Sequence, residues 1–284
     1  MLRTLGAFCL GGGLLFVAGL WFTGMLSPAP TGVVVSGPGI SAATSPPVAA
    51  SPAPTSTPST TAKTEAATDA SSMAPAGSVV CIDAGHQGLG DSTLEPIGPG
   101  STTRKASVSS GTSGVATKVH ESVVNLEVAK LLRSELEARG VRVVMVRVSE
   151  KVDIPNSGRA HIANAAKADL FVRLHCDGTT NRSTHGFSTL VPAKNQWTAP
   201  ILSASKSAGR LIHAAAITAT GAADRGVVTR SDLSGFNWST VPTVLVEMGF
   251  MSNSAEDREL NNAAYQEKLA RGLADGVVEY LRSK

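Results

Sequence analysis

Cysteine is scarce. The chain has 284 residues and three cysteines, none in a CxxC pair, so neither a disulfide scaffold nor a thiolate zinc ribbon is open to it. A surplus of one charge sign is also missing. The 25 Lys+Arg against 22 Asp+Glu leave a net charge of +3, too small and too scattered for nucleic-acid binding. No internal repeat is apparent. Charge is absent altogether between Arg3 and Lys63, and all six histidines lie at or beyond His86. Nine of the 15 prolines, by contrast, fall between Pro28 and Pro75. These absences divide the chain into three parts and leave chemistry to the last.

Residues 1–26 read as a signal peptide or membrane anchor. Leu5 to Leu26 is apolar apart from Thr23 and several glycines, and as a helix it would cover roughly 33 Å, enough to cross a bilayer. Arg3 favours keeping the short N-terminal side in the cytoplasm. The length fits an uncleaved anchor, whereas Ser27, Ala29 and Ala42-Ala43 behind the run fit a cleaved secretory signal. Either way the rest of the chain is expected to be exported. Cys9 is a poor lipidation site, because the apolar run follows it instead of preceding it. Residues 27–77 are Pro, Ala, Ser, Thr and Gly with almost no large apolar side chains, a composition that cannot offset its own ordering entropy. A disordered, extended linker is expected there.

Residues 78–284 alternate strand and helix patterns. Ser78–Asp83, Val141–Val146, Asp169–His175, His185–Val191 and Thr243–Glu247 read as strands. A helix starting near Glu121 places Val124, Val128, Leu131, Leu132 and Leu136 on one face and stops at Gly140. Further helices are expected over Ser157–Lys167 and Leu202–Thr220, and a C-terminal one carries Tyr265, Leu269, Leu273, Val277 and Leu281 four apart. The fold class that follows is α/β: a mostly parallel twisted sheet flanked by helices on both faces, in a single catalytic domain.

On that scheme His86 follows the first strand, His175 closes the third, Glu247 closes the last, and Glu121 opens a helix. Open α/β sheets form their sites at the carboxyl ends of strands. Two imidazoles and a carboxylate with an open fourth position are a catalytic zinc set, and a further carboxylate would handle the proton. No HExxH-type motif is present, so spacing alone is weak evidence. A helix-start charge is a competing account of Glu121, and His120 beside it is a competing ligand. His120, His161, His185 and His213 otherwise read as ordinary surface or core residues.

Asp83-Ala-Gly-His-Gln-Gly88, Glu121 with Asn125-Leu126, Arg159 with Asn164, Ala168-Asp-Leu-Phe-Val-Arg-Leu-His175, Arg225-Gly-Val227 and Val241-Pro-Thr-Val-Leu-Val-Glu-Met-Gly-Phe-Met-Ser-Asn253 carry a resemblance. The region resembles the zinc-dependent N-acetylmuramoyl-L-alanine amidases of bacterial cell walls, the amidase-3 family, over essentially all of 78–284. The resemblance implies one Zn2+ per catalytic domain, held by His86, Glu121 and His175, with Glu247 as the catalytic carboxylate. It implies hydrolysis, by zinc-activated water, of the amide joining N-acetylmuramic acid to the first L-alanine of the stem peptide. Peptidoglycan and, through the N-terminal segment, a membrane are the expected partners. Nucleic acid is not, and a protein activator stays open. Two rival functions are another zinc-dependent amide or peptide hydrolase and a non-catalytic envelope-binding protein with an amidase-like fold.

The sequence departs from the family in places. Cys176-Asp177 stands where Ala-Asn is typical, Ala84 where proline is common, and the connector from Gly88 to Val119 is long. Arg173 replaces a small residue. Two before His175 on a strand, it faces the same side, set back roughly 7 Å, and is expected to pair with Asp83 or Asp177 or to meet a stem-peptide carboxylate. Asp91 and Glu95 are expected in solvent. Trp197 and Trp238 could stack on sugar rings or simply pack. Cys81 and Cys176 could pair if their strands are neighbours.

Overall fold

The structure is a computed structural model that describes residues 73–284. The Leu5–Leu26 segment and nearly all of the 27–77 linker lie outside the described residues. Among the described residues no helix is long and apolar enough to cross a membrane.

Six strands form the central sheet: β1 (Val79–Ala84), β4 (Arg142–Met145), β5 (Leu170–Asp177), β6 (Phe187–Pro192), β7 (Asp224–Arg230) and β8 (Thr243–Phe250), in the order β4-β1-β5-β8-β6-β7. β4, β1, β5 and β8 run parallel, β6 is antiparallel to β8, and β7 is parallel to β6. The sheet is thus mostly parallel, as its strand–helix alternation predicts. A separate hairpin, β2 (Asp91–Pro96) with β3 (Arg104–Val108), arises from the long connector.

Alternation along each strand assigns its two faces. Leu170, Val172 and Leu174 of β5 and Val244, Val246 and Met248 of β8 join the main core under α1 (Glu121–Ala138), α3 (Leu202–Thr220) and α6 (Ala263–Arg282), to which the short α5 (Ser254–Leu260) adds Leu260. The predicted stripe of α6 is buried there at Leu269, Leu273, Val277 and Leu281, each contributing about 1.5–3 kcal/mol by removal from water. Gly272 and Gly276 let α6 lie directly on α3: a Cβ at Gly276 would stand 2.5 Å from the Ile212 Cα, and one at Gly272 2.6 Å from the Ala219 Cβ. Alanine at Gly276 would force the two helices apart.

The opposite face is covered by α2 (Asn156–Ala165), by the short α4 (Ser234–Asn237) and by the hairpin. Phe171 packs there with Val79, Cys81, Ala160 and Ala163, and Leu245 with Leu190 and Phe236. Polar anchors hold the hairpin down. The indole N–H of Trp238 donates to Pro96 O and that of Trp197 to Pro99 O, both at 2.9 Å, and Asn156 Nδ2 donates to Ser107 O at 2.6 Å. Both tryptophans therefore brace the fold. Glu95, expected in solvent, is only 7% exposed, because its Oε2 accepts from Ser157 N and Oγ at 3.0 and 2.7 Å. Cys81 and Cys176 are free. Their strands are neighbours, but Cys81 is in register with Phe171, five residues before Cys176, and the two thiols lie in different clusters on opposite faces.

Candidate active site and metal centre

The turn after β1 places His86 at φ 59°, in the left-handed region that non-glycine residues seldom occupy. Such strain persists only where the surroundings fix it, and here they do. Arg159, buried on α2, donates to Asp83 Oδ1, Ala84 O and His86 O at 2.6, 3.1 and 3.0 Å. Arg147, also buried, donates to Ala84 O and Gly85 O at 2.7 and 3.1 Å. Gly85 has no room for a Cβ, which would collide with the His175 ring.

The first turn of α1 supplies Glu121, which is 2% exposed. Its Oε1 accepts from Cys176 N at 3.0 Å and Asn125 Nδ2 at 3.2 Å, and its Oε2 from Thr112 N at 2.9 Å. His175 stands on β5. The three side chains converge: His86 Nε2 lies 3.1 Å from Glu121 Oε1 and 3.1 Å from His175 Nδ1, which is 3.2 Å from Glu121 Oε1. The competing His120 is turned away, with its Nδ1 3.0 Å from Ser113 Oγ.

The donor set fits a metal ion. Ser109 O, 2.8 Å from His86 Nδ1, can only accept, so that nitrogen carries hydrogen and the neutral ring presents the lone pair of Nε2 to the other two residues. A carboxylate oxygen and imidazole nitrogens so close repel unless a cation or proton lies among them. Tetrahedral zinc with bonds of about 2.0–2.1 Å separates its ligand atoms by roughly 3.3–3.4 Å, close to the spacing found. His86, Glu121 and His175 form a group able to hold a metal ion. Burial is the largest influence on His175 and lowers its pKa to about 4 against the opposing hydrogen bond of Glu121, so the ring is neutral at ordinary pH. Burial disfavours ionised Glu121, but the close approach of His175 and then His86 outweighs it and holds the pKa well below the usual carboxylate range.

Glu247 lines the same cavity of about 440 Å³ as His86 and His175. Its Oε2 is buried with no hydrogen-bond partner. Burial, then the charges of Glu121 and Asp177, push its pKa well above the usual range. β5 and β8 both run past the positions where the sequence pattern ends them, and a bulge follows the His175/Glu247 pair, so both residues sit inside strands. The cavity accordingly opens over a face of the sheet and not only at its edge. Its second wall is the hairpin, through Lys105, Ala106, Val108 and Ser109.

Residues 80–279 match the family described as N-acetylmuramoyl-L-alanine amidase. The chain belongs to that family. It is 32% identical over 217 residues to an N-acetylmuramoyl-L-alanine amidase of Mycobacterium tuberculosis, covering 74% of this chain and 88% of the relative. It is 30% identical to the amidase LytC of Bacillus subtilis over 72% of this chain and 36% of that longer protein. The crystal structure of the amidase Ami1 from Mycobacterium smegmatis superposes with a TM-score of 0.67 at 26% identity, over 74% of this chain and 99% of that one.

In this amidase the other motif residues prove to be braces. Asn164 Nδ2 donates to Trp238 O and its Oδ1 accepts from Thr240 N, at 2.9 and 2.8 Å. The Arg225 guanidinium lies over the Phe250 ring, 5.0 Å from its centroid. Sequence reasoning missed Ser109, whose carbonyl orients His86, and the cavity residues Lys105, Asn156, Arg230 and Ser234. The only signal for the hairpin was a short run, Arg104–Val108, inside a Gly/Ser/Thr-rich connector.

Proposed function

We propose that the amidase hydrolyses the amide between N-acetylmuramic acid and the L-alanine of the stem peptide, with one zinc ion held by His86, Glu121 and His175. When bound, the ion would supply a Lewis acid that polarises the scissile carbonyl and acidifies water. Glu247 takes the proton from the attacking water and returns it to the departing alanine amine. Its position in a buried cavity suits that task, since burial raises the proton affinity of the carboxyl and so strengthens it as the group that picks up the water's proton. Ser109 and the guanidinium of Arg159 keep the His86 ring and backbone in place.

The convergence of three donor atoms within 3.1–3.2 Å beside the unpartnered Glu247 carries this reading. Its test is digestion of purified peptidoglycan with and without a chelator, followed by product masses. Free stem peptides bearing an N-terminal L-alanine should appear, and chelation should stop them. Intact peptidoglycan, or cleavage elsewhere in the stem, overturns the reading.

The same proposal sets the domain outside the cytoplasmic membrane, where peptidoglycan lies. Residues 1–26 export or anchor the chain, 27–77 are the linker, and 78–284 are the catalytic domain. The apolar, nearly uncharged start of the sequence supports that division.

A further inference from the structure

The catalytic cavity has a cationic end. Beside His86, His175 and Glu247 its lining includes Lys105 of the hairpin, Arg173 of β5 and Arg230 of β7. Arg173 is 3% exposed. Its Nε donates to Asp83 Oδ2 at 2.9 Å and its Nη2 to Asn156 Oδ1 at 3.0 Å. Asp83 is shared, however, for its other oxygen accepts from Arg159. One carboxylate thus serves two buried guanidiniums, and along the cavity lining Lys105, Arg173 and Arg230 face a single carboxylate, Glu247, which leaves a positive excess.

Two further observations place that excess at a binding site. Burial, reinforced by the charges of Arg173 and Arg230, lowers the pKa of Lys105, although Asp232 and Glu95 oppose the shift. Lys105 therefore lies within reach of the charges of both Arg173 and Arg230. Arg230 is paired with Asp232 at 2.8 Å, whereas Lys105 Nζ donates only to Asp232 O, at 3.1 Å. The second observation is Ser234: it is 2% exposed, lines the cavity, and its Oγ has no hydrogen-bond partner. A buried hydroxyl without a partner next to clustered cations is a donor awaiting an acceptor.

We propose that Lys105, Arg173, Arg230 and Ser234 form a carboxylate-binding subsite that takes the free α-carboxylate of the second stem residue. The proposal rests on the amidase reading and extends it to substrate choice. Arg173 lies two residues before His175 on the same strand face, roughly 7 Å back. Two peptide residues also reach at most about 7 Å. The residue after L-alanine is D-glutamate joined through its γ-carboxyl, so its α-carboxylate is the first anion beyond the scissile bond. In walls where that group is amidated, the anion is gone. The subsite therefore selects D-isoglutamate over D-isoglutamine stems.

The test compares two muropeptides that differ only in that amidation, in kcat/KM with the zinc-loaded enzyme, and the two corresponding free stem peptides in Kd. The unamidated form should lead by about tenfold in both, as a charge-assisted hydrogen bond allows. Lys105→Met, on a partly exposed hairpin position, should shrink that ratio several-fold with an unchanged unfolding midpoint, while Lys105→Arg should keep it. Equal kcat/KM and equal Kd for the two forms overturn the subsite and leave the amidase reading standing. Discrimination between the free peptides without cleavage of either muropeptide keeps the subsite and sinks the amidase reading. The full ratio surviving in both Lys105→Met and Arg230→Gln overturns the assignment of these residues.

Discussion

His175 and Glu247 are register partners on adjacent parallel strands, β5 and β8, although 72 positions separate them in the chain. Neighbouring strands lie about 4.8 Å apart, so sheet hydrogen bonding, not a loop, sets the spacing between a metal-ligand candidate and the proposed acid–base group. A site on such a frame is held more tightly than one on loops, and a change at one residue should leave the other in place.

Glu247→Gln is isosteric and stays on that frame. It should bind zinc as the parent does while turnover falls roughly 100- to 10,000-fold. Metal analysis beside a peptidoglycan digestion checks both halves, and a zinc-free Gln variant would make Glu247 a ligand.

His86→Ala and His175→Ala each remove one of three converging donors. Both should lose zinc and activity together, whereas His120→Ala, whose ring faces Ser113, should lose neither. Full zinc occupancy in the first two variants would refute the ligand assignment.

Asp83 governs acid stability. Burial alone would raise its pKa, but the guanidiniums of Arg159 and then Arg173 outweigh that and hold it well below the ordinary value. A carboxylate with a depressed folded pKa stabilises the fold fully above the unfolded value of about 3.9, and that contribution fades as pH falls below it. Asp83→Asn should cost about 3–5 kcal/mol at neutral pH by leaving buried cations short of their partner. It should also flatten the loss of stability below about pH 4, as read by denaturant unfolding across pH. An acid dependence as steep as the parent's would disprove this role.

The N-terminal division is checked by fractionation and truncation. The full chain should be found outside the cytoplasmic membrane, and deletion of Leu5–Leu26 should retain it in the cytoplasm. Removing residues 1–72 should leave a soluble, folded domain. Cutting on through Gly77 removes the bond from Ala74 N to Arg139 O at 3.0 Å and those from Ser78 N and Oγ to Pro75 O at 3.2 and 2.7 Å, for which a loss of about 1–3 kcal/mol is expected. An insoluble 73–284 fragment would count against the three-part division.

The sequence by itself determined the order of the main sheet strands β1, β4, β5, β6 and β8 and of helices α1, α2, α3 and α6, the sheet's mostly parallel character and, through its family resemblance, the candidate group His86, Glu121, His175 and Glu247. Apolar periodicity and ordered short motifs are local signals, and in a parallel sheet strand ends gather on their own. The hairpin of residues 91–108 was not legible, because polar anchors such as Trp238 to Pro96 and Glu95 to Ser157 hold it, and these join segments far apart in the chain. Arg173 shows the same division. Its strand face followed from alternation, and pairing with Asp83 was one of the options the sequence left. Only the tertiary structure showed that Asp83 also serves Arg159, and only it brought Lys105, Arg230 and Ser234 to the same cavity. Charge balance in a buried site is a sum over neighbours in space, and a one-dimensional pattern does not contain that sum.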